Sequence, residues 1–356
     1  MPGGGRAWIV TGRQAANRVF TDPRFSNDPS HRAGSEPITD GRHMGIADPP
    51  DHRRLRGVIA RVFTPAALRQ HRGTITDLAD QVIAALPAHT DLVTDFAAVL
   101  PLRVMFTLLG IRTEHHGELI ADLTRVSELS GRGDEAAGAM RRVRDRLDAE
   151  TRHRDRHRAD DVLSALAAAV DAGNITAAER DSTVLLLVGA GHETTVNLLA
   201  VSLYWLLREP QRLRRLADHL DTVPTAVAEL VRHDPIAVHS TGRYTTERVD
   251  LAGTTIPAGE LVLVNLAAVN RDPEGIAEPD RLMLDREPVA HHAFGHGPHI
   301  CLGKWLTLME TEIAITRLLA HHRDIMPTVP LRDLEWKQNH AIRGLRRLPV
   351  RLGDPR

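Results

Sequence analysis

One cysteine, Cys301, stands in 356 residues, so the chain has no internal disulfide. Lysine is almost as scarce, at 304 and 337 alone. Arginine supplies nearly all the positive charge, a mark of a GC-rich coding genome rather than of function. The formal net charge is -1, with both signs mixed along the chain. That balance excludes a polybasic membrane anchor and argues against a nucleic-acid grip. The opening "MPGGGRAWIV" lacks an apolar signal region, and with the lone thiol it points to a cytoplasmic location. No internal repeat and no low-complexity linker interrupts the sequence, which reads as one unit, residues 1–356.

What is present is mainly helix with small β-sheets. From Gln14 to about Arg208 the apolar spacing is helical, punctuated by proline and glycine. The charge-dense stretch Arg141 to Asp161 reads as a solvated helix face laced with i,i+4 pairs. Strand signals are few: "AWIVT" near the start, paired strands within Val249 to Val264, and a final "LPVRL".

The longest helix is announced by a capping box at Thr176 and Glu179 and ended by Pro210. It would span roughly 45–50 Å at 1.5 Å per residue. It is apolar on nearly every face, which places it at the protein centre. A membrane span is the rival, disfavoured by "GHETT" at its middle, where a glutamate would be costly in lipid. Glu193 is the only carboxylate between Asp181 and Glu209. A buried carboxylate needs a partner or a proton-handling role. Gly189, Ala190 and Gly191 remove bulk just before it, and Thr194 adds a hydroxyl. The arrangement suits a small ligand that must receive protons, against the alternative of a kinked core helix.

"HHAFGHGPHICLGKW", His291 to Trp305, holds Cys301. A zinc site finds the wrong histidine spacing and no second Cys/His cluster. A nucleophile needs a positioned base, which His299 does not establish by proximity in sequence. A thiolate ligand to haem iron is the third reading. Glycines 295, 297 and 303 with Pro298 make a tight loop, followed by a helix from about Lys304 to His321. A cysteine at a helix N-terminus is expected to have a lowered pKa.

At this point the sequence resembles the cytochrome P450 family, in particular its bacterial (actinomycete-like) members. "FGHGPHICLG" is similar to the family's haem-binding loop, with Cys301 as axial ligand and Phe294 and Gly303 framing the haem. "AGHET" resembles the oxygen-binding segment, placing Ala190 and Gly191 beside the cofactor and Glu193 and Thr194 as the acid–alcohol pair. "ELVR" matches E-x-x-R through Glu229 and Arg232, with Arg281 as the expected third member of that network. His52 and Arg56 of "DHRRLR", Arg243 and His299 match the partners of the haem propionates.

The resemblance implies a P450-like fold, apparently lacking the family's first helix and first strand. It implies haem b as cofactor and reductive activation of dioxygen, with Thr194 hydrogen-bonding dioxygen and Glu193 relaying protons. One oxygen atom would enter a small or medium organic substrate, in secondary-metabolite tailoring or xenobiotic hydroxylation. Oxidative coupling of aromatic groups, direct use of peroxide, and a non-catalytic haem sensor are the alternatives. A ferredoxin or flavodoxin with its reductase is the implied electron donor, docking through Lys304 and the arginines of Arg53 to Phe63. The substrate pocket would draw on Pro29 to Met44, Ser127 to Met140 and Ile236 to Thr241, with His239 and Ser240 as hydrogen-bond donors. Lys304 and Trp305, where the family usually has small residues, put the packing beneath the loop in question.

Overall fold

A computed structural model describes residues 6–35, 42–128, 133–337, 339 and 341–353. Its centre is the helix Ala177–Leu207, 31 residues long, begun by the expected reciprocal capping box between Thr176 and Glu179. Seventeen of its residues are buried, including the polar His192, Thr195, Asn197 and Ser202. Burial on several sides rather than one stripe explains its lack of amphipathic pattern. This helix and Leu92–Leu109 are each long and apolar enough to cross a membrane, yet both are mostly buried inside the protein. The main apolar core gathers side chains from Met44 to Leu352 around the central helix.

Three small sheets flank the helices. Trp8–Val10 lies parallel to Leu261–Val264, which pairs antiparallel with Arg243–Thr245 and through it with Phe25–Ser26. The hairpin Val249–Leu251 with Thr254–Ile256 turns through Ala252 and Gly253. Both turn residues have positive φ, 48° and 78°, as a tight two-residue hairpin requires. The terminal strand Pro349–Leu352 lies between His89–Asp91 and Ile325–Pro327. The three expected β regions are therefore strands, and two short strands interrupt the stretch that reads as helical.

The charged segment differs from expectation in its pairing. Its helix is Gly133–Arg156, and Asp161 begins the next helix by accepting from the Ser164 N–H. Its ion pairs run across helices rather than along one face: Arg142 with Asp122, Arg180 with Asp155, and Arg112 with the fully buried Glu150. Arg112 and His115 hold Glu150 at 2.9 and 2.5 Å. Burial would raise the Glu150 carboxyl, but these partners keep it below its ordinary value. The segment therefore packs on neighbouring helices through Val143, Leu147, Glu150 and Thr151, while most of its charged side chains are exposed, as a solvated face requires.

Candidate haem and oxygen site

The cysteine loop is shaped by close approach. Gly297 has φ +72°, and a Cβ there would lie 2.6 Å from the Phe20 carbonyl oxygen, so only glycine fits against the helix Arg13–Thr21. The Cys301 N–H donates to the Phe294 carbonyl at 2.9 Å and the Gly295 N–H to that of His292 at 2.8 Å. The following helix, Lys304–His321, has the expected bounds. Cys301 is exposed, although protein packs closely around the rest of its sulfur.

The thiol's acidity departs from expectation. Burial pushes the Cys301 pKa up, and the N–H groups of Gly303 and Lys304, with Arg56, offset only part of that. The helix N-terminus favours the anion, but desolvation outweighs it. A bound cation would have to supply the difference.

Above the loop, four basic side chains from three separate segments converge. The rings of His52 and His299 lie 3.9 Å apart, and Arg56 donates to the Ile300 carbonyl at 2.8 Å. Arg243 is buried, lies 5.6 Å from the centre of the Phe20 ring, and donates to Thr241 Oγ1 at 2.9 Å. Burial lowers His299 to about 3, helped by the charges of His52, Arg243 and Arg56. Burial likewise lowers Arg243 to about 10. His52 is buried with neither ring nitrogen hydrogen-bonded among the described residues. Unpartnered buried donors are costly, so this group is built to meet anionic acceptors. Two carboxylates next to a cysteine-bound metal, as haem provides, satisfy it.

On the central helix, Gly189 and Ala190 are exposed in the midst of buried turns. Thr194 Oγ1 donates to the Ala190 carbonyl at 2.6 Å, and Thr195 Oγ1 meets Thr307 Oγ1 of the cysteine helix at 3.4 Å. Gly191 beside them is partly exposed, and a Cβ there would meet only the flexible end of Met105, whose Cε lies 2.5 Å away. The barest backbone is at Gly189 and Ala190.

A family model described as Cytochrome P450 matches residues 130–341. Vitamin D(3) 25-hydroxylase of Pseudonocardia autotrophica is 35% identical, over 98% of this chain and 89% of the relative. The chain belongs to the cytochrome P450 family. Mycinamicin IV hydroxylase/epoxidase of Micromonospora griseorubida is 34% identical, over 98% of this P450 and 90% of the relative. The solved structure of CxnD, a P450 for C–S bond formation in chuangxinmycin biosynthesis, superposes with a TM-score of 0.91 at 32% identity. That match covers 99% of this P450 and 89% of CxnD. The P450 family brings with it a haem cofactor and monooxygenase chemistry.

The network under the P450 loop corrects one residue. Glu229 is bound by Arg232 at 2.6 and 2.9 Å, by Arg286 at 3.0 Å and by the Met283 N–H at 3.1 Å. Arg281 instead makes an exposed pair with Glu278, and only its carbonyl reaches the network. Burial would raise Glu229, but these donors hold its carboxyl below the ordinary value. Arg232 also donates to the Asn270 carbonyl at 3.1 Å, and Asn270 Oδ1 accepts from the His292 N–H at 2.6 Å. The ion pair thus reaches the cysteine loop through Asn270. Arg232→Ala is expected to cost about 3–5 kcal/mol, because it removes one partner of a buried ion pair and leaves Glu229 to Arg286 and the Met283 N–H alone. Arg281→Ala should cost less than about 0.5 kcal/mol. Denaturant titrations of the two variants check the difference.

Two expectations beside the site also change. Ser240 Oγ is already engaged, donating to the Thr241 carbonyl at 2.9 Å and accepting from the Val264 N–H at 3.1 Å. His239 keeps an Nδ1 without a partner among the described residues. Trp305 does not disturb packing: it is 47% exposed, with Lys304 Nζ 4.7 Å from its ring centre. Of the expected pocket segments, residues 36–41 and 129–132 lie outside the described residues.

Sequence reasoning missed Glu310, a buried acid on the cysteine helix whose Oε1 has no partner among the described residues. Burial pushes its pKa well up. Above the ordinary glutamate range the unfolded chain ionises while the folded protein stays protonated. Stability from this group is therefore complete at low pH and lost as pH rises toward the folded pKa. Glu310→Gln should gain thermal stability over the parent as pH increases from 5 to 8, a trend that Tm measurements across that window check.

Proposed function

We propose that this P450 inserts one oxygen atom of dioxygen into a C–H bond or double bond of a small or medium organic substrate, in a secondary-metabolite tailoring step. The observation that carries the proposal is the acid–alcohol pair Glu193–Thr194 beside the exposed Gly189–Ala190 backbone. Haem b is the cofactor, with Cys301 as iron ligand and His52, Arg56, Arg243 and His299 holding the propionates. Phe294 and Gly303 frame its cysteine side and Ala190 its oxygen side. When bound, the haem supplies the redox chemistry of dioxygen activation, and thiolate ligation favours O–O cleavage.

The chain's own part is proton control. Thr194 Oγ1, at rest on the Ala190 carbonyl, can turn its proton toward dioxygen at the bare backbone. Glu193, half-buried on the adjoining position, replaces that proton from the solvent side.

Electrons come from a cytoplasmic ferredoxin or flavodoxin with its reductase, meeting the protein near Lys304 and Trp305. Arg53 and Arg61 are exposed and free to serve as docking charges, whereas Arg54 is engaged by Glu179 and Arg56 by Ile300. The mycinamicin IV relative is named for hydroxylation and epoxidation, which supports both oxygen-insertion outcomes. The C–S bond-forming neighbour favours oxidative bond formation, including aromatic coupling, as the second reading.

Turnover under labelled dioxygen separates the two. Vitamin D3 and mycinamicin IV are the first probes, followed by products of neighbouring genes, with ligand-induced Soret shifts choosing what to incubate. A product carrying one labelled oxygen supports insertion. A dehydrogenated or coupled product without label overturns it in favour of the second reading.

A further inference from the structure

The segment from Arg42 to Asp48 is fastened along its length to the chain at Ser26 to Asp28. Arg42 pairs with Asp28, and the Gly45 carbonyl accepts from Asn27 Nδ2 at 3.3 Å. Asp48 accepts from Ser26 Oγ and, at 3.0 Å, from the Asn27 N–H. Ser26 and Asn27 are themselves buried, so the attachment is anchored in the interior. A segment held in this way keeps its side chains in fixed directions, as a binding site requires.

The segment lies against the oxygen side of the central helix. A Cβ at Gly45 would be 3.9 Å from Leu186 Cδ1 and 3.1 Å from the His43 ring, so the imidazole stands beside Leu186. Leu186, Ala190 and Thr194 follow at four-residue intervals and share one face of the helix. Leu186 and Thr194 are partly exposed on that face, and Ala190 is exposed. His43 therefore borders the same opening as the bare backbone at Ala190.

The His43 ring is also fixed in its tautomer. The Gly45 N–H donates to Nδ1 at 3.1 Å, and a backbone N–H can only donate, so Nδ1 carries a lone pair. Burial lowers the ring below the ordinary histidine value, which leaves it neutral at pH 7. Its one proton then sits on Nε2, and no acceptor meets Nε2 among the described residues. A neutral donor left free beside an apolar helix face is the kind of group that orients a bound small molecule.

We propose that His43 is a specificity residue of the substrate site. Its Nε2–H hydrogen-bonds a carbonyl, ether or hydroxyl oxygen of the substrate. It thereby selects neutral, oxygen-bearing apolar molecules over hydrocarbons of the same shape. The inference rests on the placement of substrate at the Ala190 side in the function proposed above.

Ligands that anchor on the haem iron test this without turnover. N-(para-acetylphenyl)imidazole and N-(para-ethylphenyl)imidazole have nearly the same shape, and only the first offers a carbonyl acceptor. Soret titration of the haem-loaded parent should show the acetyl compound bound roughly 2- to 10-fold more tightly, the range of one net hydrogen bond. Two variants separate a donor from a mere loop anchor. In His43→Asn the side-chain oxygen can still accept the Gly45 N–H, but the amide is too short to reach the place of Nε2, so the preference should vanish. In His43→Gln the amide N–H reaches that place, so the preference should persist although the loop bond is lost. Haem content and the carbon monoxide band should match the parent in both. Equal binding of the two imidazoles by the parent overturns the assignment. So does a parent-like preference in His43→Asn, or its absence from His43→Gln. Nitrogen-15 histidine NMR of the diamagnetic reduced carbon monoxide form, assigned through His43→Asn, should place the proton on Nε2, and a proton on Nδ1 overturns the assignment. None of these readouts needs oxygen insertion. The His43 preference can therefore fail while labelled dioxygen still enters a product, and it can hold where oxygen insertion fails.

Discussion

Cys301→Ser is expected to abolish the long-wavelength Soret band of the reduced carbon monoxide complex and, with it, all oxygen insertion. The chain has no second thiol, so no other side chain can offer the iron a thiolate. Serine keeps the volume and the loop hydrogen bonds, including the backbone bond from position 301 to Phe294. Haem can therefore still enter between the central helix and the loop, held by the basic group around His52. The expected signature is a protein that binds haem but gives a short-wavelength carbon monoxide band. A parent-like band in Cys301→Ser would place the ligand elsewhere. Desolvation by the protein packed around Cys301 raises the thiol pKa, so an anionic sulfur would depend on a bound cation, and a neutral serine hydroxyl would gain nothing comparable from it.

Glu193→Gln carries the second-largest effect. Its amide has the size of the carboxylate but cannot pass a proton. Loss of a positioned acid–base group costs about 100-fold or more in rate. NADH consumption supported by a surrogate electron donor should fall by about that factor, with haem content and the carbon monoxide band unchanged. Thr194→Ala differs in kind: dioxygen is still reduced, but a larger share of reducing equivalents leaves as peroxide. Measuring NADH and peroxide together separates the two roles. A Glu193→Gln variant that consumed NADH at the parent rate would remove this residue from proton delivery.

Much of this was legible because the relevant signals are local. The cysteine loop is a run of glycines around one thiol, and the central helix is announced by a capping box and ended by proline. The misreadings have one physical origin: direction in space is not local. Arg281 and Arg286 both lie in one irregular segment, and only the path of its backbone decides which guanidinium turns inward to Glu229. The charges of Gly133–Arg156 suggested pairs along the helix, whereas neighbouring helices supply the partners. Glu310 was overlooked for the same reason. It is an ordinary charged residue in sequence and becomes distinctive only through what surrounds it.

Asn270 gives the cysteine loop an unusual attachment. Fully buried, it accepts from the His292 N–H, donates to the Arg232 carbonyl at 3.3 Å, and offers its own carbonyl to the Arg232 guanidinium. A surface loop ordinarily opens on its own, far more often than the core it decorates. Here opening at His292 means breaking a bond to a side chain locked into the Glu229–Arg232 helix. The segment that presents Cys301 is therefore tied to the helical core, and its opening is expected to be as rare as the core's own.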